Sequence, residues 1–230
     1  DINEYDSNSG LYCLQPIILK PLETSNKEII TVGNKEYSIF TTNEVIDGQQ
    51  RTTTLFLLLS YSQYLGIIDR QYNYNITFNT RSRSGQFLDN KLKFLFDTDV
   101  TSITEEDLLN KDYTLIASIN SLWADFIKNH KEFDNVDVYH FFLVSCYIKR
   151  WISHFLTEES KAQEFISKLL NKVKIIWYSL DSAIQNNKVI DVFLNNNKGK
   201  IKLTTSELIK ALFILKIKNT QIKELAELHT

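Results

Sequence analysis

The sequence predicts an α+β fold in which a small sheet is interrupted by a long helical segment. Three observations lead to this prediction. Residues 11–46 contain apolar, β-branched runs separated by turn residues, a pattern typical of strands. Residues 101–172 instead carry apolar side chains at helical spacing. One more strand-like run, 173–181, follows the helices, and we expect it to return to the N-terminal strands.

The N-terminal part is predicted to contain three strands, at 11–19, 28–32 and 36–46. Pro16 has no backbone N–H, so the first strand should lie at a sheet edge or be irregular at that point. Gly33-Asn34 predicts a tight turn between the second and third strands. Within the Tyr/Asn/Arg/Ser-rich stretch that follows later, we expect one strand at 76–80 and otherwise a loop.

The helices are predicted from the spacing of their apolar residues. Gln49 to about Ile68 should form a buried helix, because its middle is apolar on nearly every side. Further helices are expected at 159–171 and 184–194, and Thr204 with Glu207 fits a capping box that begins a final helix. Two amphipathic faces lie between the first helix and these later ones, marked by Leu115, Ile119, Leu122 and Phe126 and by Val138, Phe141, Ser145, Ile148, Ile152 and Phe155.

The strand at 173–181, VKIIWYSLD, is apolar along most of its length, so we expect it to be buried. Trp177 in this strand, like Trp123 and Trp151 on the helix faces, should then belong to the core. We predict a single domain over 1–230, with an α/β core formed by 1–100 and 173–215 and a helical insertion at 101–172.

Composition excludes several classes of protein. A formal net charge of −2 argues against a generally basic nucleic-acid coat. No apolar run approaches the roughly 20 residues of a membrane helix, and the start lacks a signal-peptide pattern, so we expect a cytoplasmic protein without membrane contact. Cys13 and Cys146 lie in apolar contexts that predict buried free thiols. The four histidines show no zinc-ligand spacing, so no metal site built by the protein alone is predicted.

The most informative stretch is VIDGQQRTTTL, residues 45–55. Its Arg51 lies in the first turn of the predicted helix, where a cation is disfavoured unless an anion joins it. The unbonded amides of a helix start, the close backbone approach that Gly48 permits, the Arg51 fork and the following threonine hydroxyls together favour a phosphate site. The alternative is simple helix capping, with Asp47 as N-cap and Gln50 completing a capping box. The residues alone leave both open.

The Asp-Gly-Gln-Gln-Arg run at 47–51 resembles the signature of the GmrSD-type N-terminal domain family. Two further segments are similar to family segments in the same order. The first is FNTRSRS at 78–84, followed by Phe87-Leu88. The second is VFLNNNKGK at 192–200, followed by Leu203-Thr204 and the helix-like Glu207–Lys210. The resemblance therefore spans residues 45–210.

This resemblance implies a small mixed sheet related to the ParB and sulfiredoxin nucleotide-binding fold, with a large helical insertion and a C-terminal helix. It implies a nucleoside triphosphate with Mg²⁺ as the cofactor, contacted through its phosphates by Gly48 to Arg51. Members of the family are implicated in binding and hydrolysing nucleoside triphosphates, coupled to a His-Asn-His nuclease in modification-dependent DNA restriction and phage defence.

The resemblance also implies partners. The chain contains no nuclease motif, so we expect DNA to be reached through an associated His-Asn-His nuclease domain or subunit. Self-association into a homo-oligomer is left open. The chain begins at Asp1, contains no Met and lacks the Pro-x-x-Gln-Arg-like segment with which the family usually opens. We therefore expect it to be part of a larger protein.

The resemblance implies roles for individual residues. Asp47 would hold a metal or act as general base, Gln50 would orient water, and Arg51 would neutralise phosphate, so these three are the predicted catalytic residues. Arg51 could alternatively pair with a carboxylate such as Glu44. Arg81 and Arg83 could contact phosphate or DNA, or lie in a mobile surface loop. The predicted nucleotide-binding residues are Gly48, Gln49, Thr53, Thr54, Asn197, Lys198, Gly199 and Lys200.

Three functions follow as hypotheses. The first is a regulatory nucleoside triphosphatase in a restriction or phage-defence system. The second is a ParB-like binding module that nucleotide switches without hydrolysis. The third is a DNA-contacting module that uses Arg81, Arg83, Lys198 and Lys200.

Overall fold

A computed structural model describes residues 2, 10–22, 25–69, 74–78, 81–104, 114–155, 158–184 and 186–196. It confirms the α+β fold. The strands are β1 (Tyr12–Pro21), β2 (Lys27–Val32), β3 (Lys35–Phe40), β4 (Asn43–Asp47) and β5 (Val173–Ser179). The helices are α1 (Gln49–Tyr64), α2 (Ser82–Asp97), α3 (Thr114–Asn129), α4 (Val136–Phe155), α5 (Glu159–Asn171) and α6 (Asn186–Asn196), with a 3₁₀ turn at Lys131–Phe133. The chain forms two compact units, Asp1–Ser182 and Ala183–Thr230, and α6 is the helix described in the second.

The main sheet has the strand order β4-β1-β5. Strand β4 runs antiparallel to β1, whereas β5 runs parallel to it, so the predicted return of 173–181 to the N-terminal strands is confirmed. From Leu14 to Ile17 β1 advances three residues while β5 advances two, from Ile175 to Trp177. The extra residue is a bulge beside Pro16. The predicted irregularity is therefore present, although β1 is the central strand and not an edge.

Strands β2 and β3 form a separate antiparallel hairpin, in which Lys27 pairs with Phe40. The predicted turn at Gly33 is confirmed, and Gly33 has a φ of 62°. A single strand over 36–46 is wrong, because Thr41 and Thr42 interrupt it. Thr41 N donates to Asn26 O at 2.9 Å, and Thr42 O accepts from Leu22 N at 3.2 Å. These bonds close the base of the hairpin. The chain then continues as a separate strand, β4, which pairs with β1.

The predicted strand at 76–80 is also wrong over residues 76–78, which have no regular structure, while 79 and 80 lie outside the described residues. The Phe78 ring packs against Phe141, with 5.8 Å between ring centroids. This segment therefore packs on helix α4 and does not join the sheet. Helix α2 begins at Ser82. Arg81 and Arg83 therefore lie at a helix start, and the alternative of a mobile loop is wrong.

The core lies among the helices. Helix α4 packs against both α1 and α2. Leu57, Phe87, Ile119 and Phe142 are fully buried within this cluster. Helix α1 is buried in its middle as predicted but ends at Tyr64, and α5 has the predicted bounds. No helix in the described ranges combines the length and the apolar character needed to cross a membrane.

Strand β5 is the main departure from the predicted core. The exposed fractions of Ile176, Trp177 and Tyr178 are 54%, 51% and 53%, so the prediction of a buried strand with a core tryptophan is wrong. The reason is position, since β5 is an edge strand whose one described sheet neighbour is β1. Trp123 and Trp151 do pack against the core. Cys146 is buried as predicted, but Cys13 is exposed.

Candidate functional site

The start of α1 is built on Gly48. This residue, and not Asp47, immediately precedes the helix, and it has the left-handed conformation φ 96°, ψ 14°. Within the described ranges no side chain caps the helix and Gly48 occupies the N-cap position, so the capping box of Asp47 and Gln50 is wrong. The Thr52 amide donates to Gly48 O at 2.9 Å. Among the described residues, nothing accepts a hydrogen bond from the amides of residues 49–51, which are the orphan donors of a helix start.

Gly48 lies directly against β1. A Cβ atom at this position would lie 2.6 Å from Ile17 Cγ2 and 3.1 Å from Arg51 Nη2. Such a contact with Ile17 is far inside van der Waals distance, and the positive φ disfavours a side chain independently. Glycine is therefore required here both by backbone conformation and by close approach to the sheet.

Arg51 reaches back to the bulge of β1. Its Nη1 donates to Gln15 Oε1 and its Nη2 donates to Pro16 O, both at 2.6 Å. Asp47 Oδ2 lies 3.9 Å from Nη2, so the carboxylate beside Arg51 is Asp47 and not the alternative Glu44. The Arg51 Nε–H is buried and has no hydrogen-bond partner among the residues that the structure describes. Arg51 thus connects the first turn of α1 to β1, and its Nε–H remains without an acceptor in the described part of the chain.

The other residues of the turn differ in their accessibility. Thr52 Oγ1 donates to Gly48 O at 2.9 Å, and the hydroxyl of the half-buried Tyr74 donates to Thr52 O, so Thr52 is fully engaged. Thr53 is half-buried and Thr54 is exposed. Gln50 is also exposed, whereas the exposed Gln49 donates through Nε2 to Val45 O at 3.1 Å, which orients its side chain along β4. Of the predicted polar ligands in this turn, Gln50 and Thr54 are exposed and make no hydrogen bond through their side chains to another described residue.

The chain matches a known protein family along most of its length. The model of the family described as the GmrSD restriction endonuclease N-terminal domain matches residues 1–214. The chain belongs to this family. No curated protein matches the chain, and no solved structure matches it. The chain is thus a domain of a restriction system, as its sequence motifs predicted.

Two other regions are predicted to contact phosphate, nucleotide or DNA, one around Arg81 and the other around Asn197. Arg81 Nη1 donates to Asp137 Oδ1 at 2.5 Å, and Ser84 Oγ donates to Asp137 Oδ2 at 3.0 Å. Arg83 Nη1 donates to Glu132 O at 3.4 Å, a weaker contact. Both arginines therefore connect α2 to the chain around the start of α4. The predicted ligands Asn197, Lys198, Gly199 and Lys200 lie outside the described residues.

The sequence did not reveal the residues that support the turn of the GmrSD N-terminal domain. These are Gln15, Pro16 and Ile17 of β1, together with Tyr74. Two signals pointed toward them. Pro16 within a strand predicted an irregularity, and a first-turn arginine needs nearby acceptors. Neither signal names the partner, because the acceptors lie 36 and 35 residues away in sequence.

A nucleotide with Mg²⁺ is compatible with this turn. The unbonded amides and the positive charge of Arg51 suit phosphate oxygens. Within the described residues, no group of three or more His, Cys, Asp or Glu side chains could hold a metal ion. Asp47 is the carboxylate of the turn itself. A single carboxylate suits Mg²⁺ that also takes phosphate oxygens and water as ligands.

Proposed function

We propose that this GmrSD N-terminal domain binds and hydrolyses a nucleoside triphosphate with Mg²⁺. In this role it regulates a modification-dependent DNA restriction or phage-defence system, through an associated His-Asn-His nuclease domain or subunit. The observation that carries the proposal is the start of α1, where the amides of Gln49, Gln50 and Arg51 have no acceptor among the described residues. A polyanion would satisfy these donors and complement the helix dipole.

Each residue of the turn then has a task. Gly48 brings the backbone close to the phosphates, since it has no side chain. Arg51 contributes positive charge beside the amides, and Gln49, Thr53 and Thr54 offer further donors. Gln50, which is exposed, would hold the attacking water, and Asp47 would bind the metal or accept a proton. The nucleotide with its metal would supply the phosphoanhydride bond and the neutralising charge of Mg²⁺.

Binding without hydrolysis is the second candidate, and one observation favours it. The Asp47 side chain is mostly buried, with an exposed fraction of 18%, and Oδ2 lies 3.9 Å from Arg51 Nη2. A mostly buried carboxylate that faces a cation is poorly placed to meet a metal ion or an attacking water. In this candidate, nucleotide occupancy changes the conformation of the domain or its nuclease interface, and the nucleotide is released intact.

The two candidates are separated by one experiment. The folded chain is mixed with each common nucleoside triphosphate and Mg²⁺, with and without DNA, while phosphate release and thermal unfolding are recorded. Hydrolysis predicts release together with stabilisation. Binding alone predicts equal stabilisation by a triphosphate and by its non-hydrolysable analogue, without release. If no nucleotide causes either phosphate release or thermal stabilisation, both candidates are ruled out.

Two substitutions locate the site. Arg51→Leu should abolish nucleotide stabilisation, whereas the matched change Arg83→Leu, at a first-turn arginine of α2, should leave it intact. If Arg83→Leu removes nucleotide binding and Arg51→Leu does not, the site lies at α2. The same pair tests DNA contact, because DNA binding through Arg83 would weaken steeply with added salt.

A further inference from the structure

Gln15 is the residue of β1 that meets the Arg51 side chain, and nothing in the sequence motif assigns it a function. Its Oε1 accepts from Arg51 Nη1 at 2.6 Å. A guanidinium only donates hydrogen bonds, so the oxygen of Gln15 must face Arg51 and its amide nitrogen must face away. Gln15 is exposed, and its Nε2 donates to no other described residue.

The two hydrogen-bond acceptors of Arg51 are neutral groups, an amide oxygen and a backbone carbonyl, and not carboxylates. Gln15 Oε1 and Pro16 O accept hydrogen bonds from Nη1 and Nη2, whereas the carboxylate oxygen Asp47 Oδ2 lies 3.9 Å from Nη2. Neutral acceptors orient a guanidinium without cancelling its charge. A carboxylate at the position of Gln15 would orient it equally well but would remove most of its attraction for an anion.

We propose that Gln15 is a positioning residue that sets the affinity of the α1 start for polyphosphate. It holds Arg51 through a neutral oxygen, so this contact does not offset the charge of the guanidinium as a carboxylate would, and it leaves its amide NH₂ group beside that charge. This proposal rests on the proposed nucleotide site and deepens it, because it assigns part of that site to β1. The ligand class is a polyphosphate, independent of any base.

The test compares Gln15→Glu with Gln15→Leu, using inorganic triphosphate without Mg²⁺ as the probe. Binding is measured by titration calorimetry, and stability is measured by thermal unfolding of the same samples. Gln15→Glu creates an ion pair with Arg51, so unfolding should occur at the same or a higher temperature while triphosphate binds at least about tenfold more weakly. Gln15→Leu removes one hydrogen bond and should lower both the unfolding temperature and the affinity moderately.

A merely structural Gln15 would give a different pattern, because affinity would then follow stability and Gln15→Glu would bind triphosphate like the unmodified chain. That result would overturn the proposal while leaving the nucleotide site intact. Added salt should reduce the difference between the unmodified chain and Gln15→Glu, since the effect is electrostatic. If the folded, unmodified chain binds neither inorganic triphosphate nor any nucleotide, the nucleotide site and the role of Gln15 both fail.

Discussion

Arg51 donates a hydrogen bond from Nη2 to the backbone carbonyl of Pro16, with 2.6 Å between the two atoms. Pro16 lies beside the bulge of β1, where the strand departs from regular pairing with β5. The bond connects the first turn of α1 to the central strand of the sheet. It also explains how a cation is tolerated at the positive end of a helix, because nearby acceptors bind two of the guanidinium nitrogens.

The contact between Gly48 and Ile17 predicts that Gly48→Ala is strongly destabilising. The added Cβ would lie 2.6 Å from Ile17 Cγ2 on a residue with φ 96°, so we expect a loss of about 3 kcal/mol in the free energy of unfolding. Urea unfolding measures it. Gly33→Ala is the control, because Gly33 also has a positive φ, 62°, but has no atom within 4 Å of the added Cβ. That variant should lose about 1 kcal/mol. Equal losses would show that the contact with Ile17 is unimportant.

The hydroxyl of Tyr74 donates to Thr52 O and supports the first turn of α1. Tyr74→Phe should therefore lower the free energy of unfolding by about 1 kcal/mol. Tyr64→Phe is the matched control, since Tyr64 is exposed and donates to Asp97 Oδ1 at the surface. A smaller loss, below about 0.5 kcal/mol, is expected there. Urea unfolding at neutral pH checks both, and the reverse order of losses would contradict the role of Tyr74.

The pH dependence of stability should change in the same variant. Burial raises the pKa of Tyr74 well above its ordinary value of 10. Above pH 10 the unfolded chain loses this proton while the folded chain keeps it. The contribution of Tyr74 to the free energy of unfolding is therefore fully present below pH 10 and is lost as the pH rises further. In Tyr74→Phe this proton is absent, so the free energy of unfolding should fall less steeply above pH 10, by up to about 1.4 kcal/mol per pH unit. Urea unfolding at about pH 8 and about pH 11 should give a smaller difference for the variant; an unchanged difference would contradict the prediction.

Lys149 is a buried cation that closes the end of α2. Its Nζ donates to Phe96 O and to Thr98 O, and burial lowers its pKa. Lys149→Met keeps the apolar stem but leaves these carbonyls without a donor, so we expect a loss of about 3 kcal/mol. Lys128→Met is the surface control, because Lys128 pairs with Asp125 in an exposed i,i+3 pair and should cost at most about 0.5 kcal/mol. Thermal unfolding compares them, and similar losses would exclude a capping role for Lys149.

Asp137 holds the start of α2 through Arg81 and the buried Ser84. Asp137→Ala removes both acceptors and should cost about 2 kcal/mol, measured by urea unfolding. Arg81→Ala leaves the bond from Ser84 in place, and Arg81 is about half exposed, so its loss should be no more than about 1 kcal/mol. If Arg81→Ala costs as much as Asp137→Ala, the ion pair and not Ser84 dominates this contact.

The sequence was sufficient for features that depend on neighbouring residues. The turn at Gly33, the start of a helix after Asp47-Gly48 and the bounds of α5 were predicted from residues only a few positions apart. The DGQQR run led to the family that the chain does belong to. Periodicity and turn chemistry are local properties, so a sequence expresses them without knowledge of the fold.

Only the tertiary structure decided which distant groups meet. Trp177 is as apolar as a core residue, yet its strand lies at the edge of the sheet and remains exposed. Thr41 and Thr42 continue a strand-like pattern, but their bonds to Asn26 and Leu22 break the strand. Arg51 required acceptors, and the bulge of β1 supplied them. Strand order and register are set by long-range pairing, which the local sequence of a single segment does not contain.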